Sequence, residues 1–317
     1  MVTGRSGIFV AGIYAADLVF SGRRMPAPGE TVTADGFMRS HGGKGSNQAI
    51  AAARAGAKVS FFSLIGNDAF GDDAVALWRD EGIHSKVRVV DNEVTGAAGI
   101  FVDTRTGHNS IFVYPGASRL MITADIDALA ADIAASAVFV VQLEQPVDVA
   151  ARGLQIAHEN GVVAILNPAP ATVLPDSIFQ LCDYVMPNET EASLLSGIEV
   201  ESIESAQAAA RVLLSKGAAN VIITLGEKGA LLCNTDEVYL TPAVNAGRCV
   251  DTTGAGDGFT GGFAAGLARG LTVRNAMHFA SALAGISVTR HGAAVSMPTL
   301  AEIDAAMAGG PGLETKP

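Results

Sequence analysis

The chain has 317 residues, 49% of them hydrophobic and 17% charged. That length suits about two ordinary domains, or one large α/β domain with an appendage, and the apolar content excludes intrinsic disorder. Asp and Glu total 32 against 21 Lys and Arg, a net charge of −11, and no Lys/Arg cluster supplies the basic stripe of a nucleic-acid-binding surface.

Residues 1–7 lack a signal-peptide core, and 8–14 read as a first strand. Further β-rich runs follow at 59–65, 138–143, 162–166, 184–186 and 221–225, with helical spacing between them at 46–55, 68–80, 147–160 and 203–215. Several of these strands are apolar throughout, as strands covered on both faces are. Alternating β and α units predict a mostly parallel sheet sandwiched by helices. Two segments break the alternation. Residues 18–40 carry Arg23, Arg24, Pro26, Pro28-Gly29-Glu30 and the alternating Thr31-Val32-Thr33; residues 96–114 hold two short strand-like runs around a turn at 103–107. Together they predict a small antiparallel sheet inserted into the main domain, a lid or a plain surface hairpin. The main domain then spans 1–308, with 309–317 as a loose tail.

The cysteines, Cys182, Cys233 and Cys249, are odd in number and far apart, which fits a reducing compartment and argues against disulfides or zinc. No apolar run reaches the roughly 18 residues of a membrane helix, so a cytoplasmic protein with no membrane partner is expected. Glycine stands out at 36 residues, above its usual share of about 7%. The excess points to turns or to close backbone approach to a ligand.

One glycine-rich turn, Asp251-Thr252-Thr253-Gly254-Ala255-Gly256-Asp257-Gly258, opens a helical pattern at 259–269. The N–H groups of Gly254, Ala255, Gly256 and Asp257 would then stand unpaired at a helix entry, an anion hole reinforced by the helix dipole. The turn alone leaves Asp257 two roles: a base for a hydroxyl proton, or a helix cap. No Gly-Lys-Ser/Thr follows, so this is not a Walker A loop. No early GxGxxG follows the first strand, which disfavours a dehydrogenase. The second cluster, Gly42-Gly43-Lys44-Gly45-Ser46-Asn47, also precedes a helix. It reads as a hydroxyl-rich ligand site, with Asn47 both donor and acceptor, or as a simple helix-entry turn.

In this order, about 210 residues apart, the two clusters resemble the ribokinase-like (PfkB) family of sugar kinases. Between and beyond them Leu143-Glu144, Asn167-Pro168-Ala169-Pro170, Asn188-Glu189-Thr190-Glu191, Thr224-Leu225-Gly226 with Gly229, and Thr289-Arg290-His291-Gly292-Ala293 extend the likeness from Gly12 to about Ala305. Pro28-Gly29-Glu30-Thr31 and Asn188-Glu189-Thr190-Glu191-Ala192 bring it nearest the ribokinase branch. The resemblance implies a three-layer, Rossmann-type α/β fold with a small β lid that also serves a homodimer. It implies Asp257 as base, with Gly254, Ala255 and Gly256 around the transferring phosphoryl group. It also implies Asp17, Gly43, Lys44, Asn47 and Glu144 at the sugar, and Asn188, Thr224, Gly226 and Gly229 at the nucleotide. Asn188 and Glu191 would organise Mg²⁺ largely through water. Asp251, Thr253, Ser287, Arg290, Gly292 and Ser296 would hold K⁺ or a similar monovalent cation, mostly by carbonyls.

The expected activity is ATP-dependent phosphorylation of a primary hydroxyl on a small sugar, ribose or another pentose or ribosyl compound. A fructose-type sugar kinase, a nucleoside kinase and a non-catalytic sugar or nucleotide sensor are the alternatives. One departure bears on the sugar. Ribokinases have an Asn facing it two residues before the sugar-binding Asp, and here that position is Ala15, which loosens the expected preference for D-ribose.

Overall fold

A computed structural model describes residues 5–308; the tail expected at 309–317 lies outside the described residues. The first half holds β1 (Ile8–Ala11), β2 (Ala15–Gly22), β3 (Gly36–Gly42), α1 (Lys44–Arg54), β4 (Val59–Gly66), α2 (Ala69–Asp80), β5 (His84–Val90), β6 (Ala97–Asp103) and β7 (Asn109–Tyr114). Next come α3 (Thr123–Asp127), α4 (Ala130–Ala135), β8 (Val138–Val141), α5 (Val147–Glu159), β9 (Val163–Leu166), α6 (Asp176–Phe179), β10 (Tyr184–Val185) and α7 (Glu189–Ser196). The chain continues through α8 (Ile203–Ser215), β11 (Asn220–Thr224), β12 (Ala230–Cys233), β13 (Val238–Thr241), α9 (Ala255–Ala268), α10 (Val273–Ser287) and α11 (Leu300–Met307).

The main sheet has nine strands in the order β13-β12-β11-β10-β9-β8-β1-β4-β5. From β5 to β11 every pairing is parallel, and only β12 reverses direction. Strand alternation divides the core into two. Ile8, Val10, Val138, Val140 and Ile222 pack under α1, α9 and α10, whereas Phe9, Ala11, Phe139, Val141 and Ile223 pack under α5 and α8. The expected three-layer α/β sandwich is therefore the observed one.

Residues of the two anomalous segments form a separate sheet, β3-β2-β6-β7. It is mixed rather than antiparallel: β2 pairs antiparallel with β3, β6 with β7, but β2 and β6 run parallel. Both hairpins leave the main sheet from C-terminal ends of parallel strands, β1 and β5, so their first strands set out in the same direction. The sheet begins at Ala15 rather than 18, because the chain passes directly from β1 into it, with the Ala16 N–H bonded to Gly96 O at 2.8 Å. Residues 31–33 are exposed coil, not strand. One face stays open, with Phe37 62% and Phe112 74% exposed.

Tight helix packing places the last piece of the site. A Cβ on Gly261 of α9 would lie 2.5 Å from Gln48 O, and one on Gly266 2.9 Å from Ala276 Cα. These glycines press α9 onto α1 and α10, so part of the glycine excess serves packing rather than ligand. None of the described helices is long and apolar enough to cross a membrane.

Candidate active site

The loops after β1, β8, β9, β10 and β11 leave the C-terminal ends of parallel strands and share one edge of the sheet, where open α/β sheets bind ligands. They meet the N-termini of α1, α7 and α9 there. Gly254 caps α9 in the left-handed region, with φ 76° and no side-chain cap bond. The N–H groups of Gly254, Gly256 and Asp257 have no backbone partner among the described residues, but Ala255 N–H donates to Thr252 O at 3.1 Å. Three of the four amides expected free are therefore available to an anion, aided by the helix dipole.

Asp257 stands in the first turn of α9 and is buried. Its Oδ2 accepts from Asn47 Nδ2 and its Oδ1 from Gln48 Nε2, both at 3.0 Å. One cavity is lined by Lys44, Asn188, Glu191, Thr224, Gly254, Gly256 and Asp257. The Asp257 charge is the main influence holding the Lys44 ammonium above the ordinary lysine range, with Glu144 and Glu191 adding to it against burial. Lys44, expected at the sugar, lines this same cavity with Gly254 and Gly256.

The sugar candidates gather where α1 meets the small sheet. Gly43 caps α1 at φ 87°, ψ 122°, a backbone conformation essentially confined to glycine. A Cβ there would lie 2.5 Å from Ile13 O and 2.7 Å from Tyr14 Cα. Tyr14 is fixed in turn by an edge-on contact with Trp78, ring centroids 5.7 Å apart. The Lys44 backbone N–H donates to Glu144 Oε2 at 2.7 Å. Burial pushes Glu144 up to about 7, helped by the charges of Asp257 and Asp17, and burial alone raises Asp17 to about 6. Asn47 Oδ1 is buried without a partner, an acceptor aimed at nothing in the protein.

Asn188 and Glu191 form a reciprocal cap at the start of α7: the Glu191 N–H donates to Asn188 Oδ1 at 2.8 Å and the Asn188 N–H to Glu191 Oε2 at 2.9 Å. Thr224 joins them by a β-bridge to Asn188. Gly226 and Gly229 do not line the cavity. Gly226 is exposed, and a Cβ on Gly229 would lie 2.0 Å from Thr241 O, so the entry to β12 demands that glycine. Segments 251–253 and 287–296 lie beside Gly254. Gly292 N–H donates to Asp251 Oδ2 at 2.9 Å, and a Cβ on Gly254 would strike Ala293. The hydroxyls of Ser287 and Ser296 already donate to Ala284 O and Ala293 O, and the Arg290 guanidinium pairs with Glu302. Gln48, Gln142 and Asn167 are buried at the centre without having been singled out as site residues; the only sequence signals were an amide beside Asn47, another at the end of a buried strand, and an Asn-Pro after the next.

The pfkB family carbohydrate kinase profile matches residues 6–300. The ribokinase of Haemophilus influenzae is 41% identical over 94% of this chain and 97% of its own length. The deoxyribokinase of Salmonella typhimurium is 38% identical over 94% and 97%. The structure of Arabidopsis thaliana ribokinase complexed with ribose and ATP superposes with a TM-score of 0.89 at 31% identity, covering 96% of this chain and 99% of that one. With the paired glycine turns converging on one buried aspartate, these likenesses make the chain a member of the pfkB family of carbohydrate kinases.

Proposed function

We propose that the protein transfers the γ-phosphoryl group of ATP to a primary hydroxyl of a pentose, ribose or a ribosyl compound first. The observation that carries this reading is Asp257: a buried carboxylate in the same helical turn as free amides, bonded to Asn47, whose Oδ1 is an unpartnered acceptor. In the proposed reaction Asp257 accepts the hydroxyl proton as the oxygen gains phosphoryl character. The amides of Gly254, Gly256 and Asp257, with the Lys44 ammonium, hold the charge spread over the transferring group. Asp17, Asn47 and Glu144 accept hydrogen bonds from sugar hydroxyls, and Thr224 and Asn188 border the nucleotide. The domain is residues 1–308, and the small sheet acts as a lid that excludes water.

Asn188 and Glu191 suit a hydrated Mg²⁺. They are pinned by their mutual cap, and the described residues contain no group of three His, Cys, Asp or Glu able to hold a metal outright, as befits an ion kept by phosphate, water and one or two carboxylates. When bound, Mg²⁺ neutralises phosphate charge. A monovalent cation such as K⁺ is assigned to 251–253 and 287–296; with the Ser287, Ser296 and Arg290 side chains engaged, carbonyl oxygens remain to hold it. The exposed apolar face of the small sheet, including Phe37 and Phe112, supports a homodimer through the lid. Free Cys182, Cys233 and exposed Cys249 support a cytoplasmic setting.

Two outcomes follow for the sugar. Glu144 and Asp17 hold their protons above the usual carboxylate range, so the ligand-free protein keeps the associated stability at low pH and loses it as pH rises through 6 and 7. Hydroxyl donors favour the ionised forms, so binding strengthens over the same window. The sugar KM is expected to fall about tenfold from pH 6 to 8, read in steady-state assays; a KM that is flat or rises contradicts the assignment. Ala15 shares a face of β2 with Asp17 and brings no amide, so ribose and 2-deoxyribose are expected within about tenfold of one another in kcat/KM. Ala15→Asn should then favour ribose by a further ~tenfold, because a site built to bond a hydroxyl rejects an analogue lacking it. An unchanged ratio places that hydroxyl elsewhere.

The test of the activity is ADP release with Mg²⁺, with and without K⁺, across pentoses, hexoses, ketoses and nucleosides. Turnover on pentoses is the expected result. Failure on every acceptor would leave the sensor reading, and turnover confined to nucleosides or fructose-type sugars would replace the pentose.

A further inference from the structure

A chain of buried amides reaches Asp257 from the strand ends, with Asn167 at the cavity wall. Gln48 and Gln142 are each 0% exposed. Gln142 Nε2 donates to Gln48 Oε1 at 2.6 Å, and Gln48 Nε2 donates both to Asp257 Oδ1 at 3.0 Å and to Asn167 Oδ1 at 2.9 Å. Asn167 Nδ2 closes the chain on Met186 O at 2.8 Å. Each link has one workable polarity. With its oxygen taken by Gln142, Gln48 must turn its NH₂ toward the carboxylate; the flipped amide would set an oxygen against Asp257 and leave Gln142 without its acceptor. The chain joins the ends of β8, β9 and β10 to α1 and α9, so it gathers five elements on one carboxylate oxygen.

We propose that Gln48, oriented by Gln142 and Asn167, is a positioning residue for Asp257. It fixes the rotation of the carboxylate and occupies Oδ1 from behind, leaving the carboxylate's remaining acceptor capacity turned toward the sugar hydroxyl. The base is thereby held in register with the reacting hydroxyl. The Gln48 side chain bonds to the base and to none of the residues assigned to sugar or nucleotide, so its influence falls on the chemical step. The proposal rests on Asp257 being the base of the kinase reaction.

Gln48→Met retains the shape and removes the donor. The expected result is a kcat lower by about 10–100-fold, the usual weight of a hydrogen bond to a charged group, with both KM values within about threefold. Activity within twofold of wild type overturns the proposal, as does a loss carried by the sugar KM. Should Gln48→Met fail to fold, Gln142→Met decides on the same criteria with a smaller loss of about 3–10-fold, since it frees the Gln48 amide without touching Asp257. A wild-type chain that transfers no phosphoryl group overturns the kinase reading itself, whereas an active wild type with an equally active, folded Gln48→Met overturns only the role of Gln48.

Discussion

Asp257→Asn is expected to lower kcat by about 10²–10⁴-fold, the range over which a positioned base contributes. The substitution keeps the shape but leaves one acceptor oxygen where there were two. Asp257 receives an NH₂ on each oxygen, from Asn47 and from Gln48, so the asparagine must turn its own NH₂ against one of them. A buried donor without a partner costs about 1–3 kcal/mol, and a modest fall in thermal stability should accompany the loss of turnover. Sugar and ATP affinities, measured by calorimetry, should change far less than kcat. Full activity in this variant would remove Asp257 from the chemistry and return it to the role of a helix-capping carboxylate.

Gly256→Ala is expected to separate function from folding at the anion hole. A Cβ at this position meets nothing within 4 Å, whereas one at neighbouring Gly254 would lie 2.8 Å from Ala293 Cβ. Gly256 lies inside α9 and lines the cavity. An alanine there gains up to about 1 kcal/mol of helix propensity while placing a methyl group where the phosphoryl oxygens must approach the amides. Loss of one such donor costs about 10²–10³-fold in rate, so kcat should fall by about 10²-fold in a protein at least as stable as wild type. Gly254→Ala, strained by its left-handed backbone and by Ala293, should lose both stability and activity. If Gly256→Ala turned over normally, the phosphoryl group would not lie against this turn.

The central strands were legible because their surroundings are simple. Ile8–Ala11 and Val138–Val141 are apolar at every position since helices cover both faces, as strands at the centre of a parallel sheet are. The edge strands β5 and β13 escaped notice for the opposite reason: His84–Val90 and Val238–Thr241 mix exposed and buried positions without clean alternation. β10 is held in the sheet with only two residues. The parallel pairing of β2 with β6 depends on where two hairpins leave a sheet not yet assembled, which local pattern does not encode.

The site divides in the same way. The turns at 42–47 and 254–257 were readable because glycine at a helix entry interrupts an apolar pattern for a reason of backbone geometry. Gln48 was not, since a single amide in the Ala-rich α1 is expected to face solvent. Its complete burial makes sense only beside Asp257, 209 residues away. Gly229 was readable as a special position, but its packing role was not, because the Thr241 carbonyl it must clear belongs to a strand the pattern did not show. That Lys44 lines one cavity with Gly254, Gly256 and Asp257 was not readable either, because the cavity exists only after α1 and α9 have packed.

The central claim is that the phosphoryl group of ATP ends on a primary sugar carbon, with Asp257 taking the proton. Phosphorus NMR of the products formed from ribose and Mg²⁺-ATP tests it most directly. The predicted spectrum shows a phosphomonoester coupled to two protons of a CH₂ group, appearing in step with ADP and absent with Asp257→Asn. ADP accompanied only by inorganic phosphate, or a phosphoester coupled to a single anomeric proton, would contradict the account.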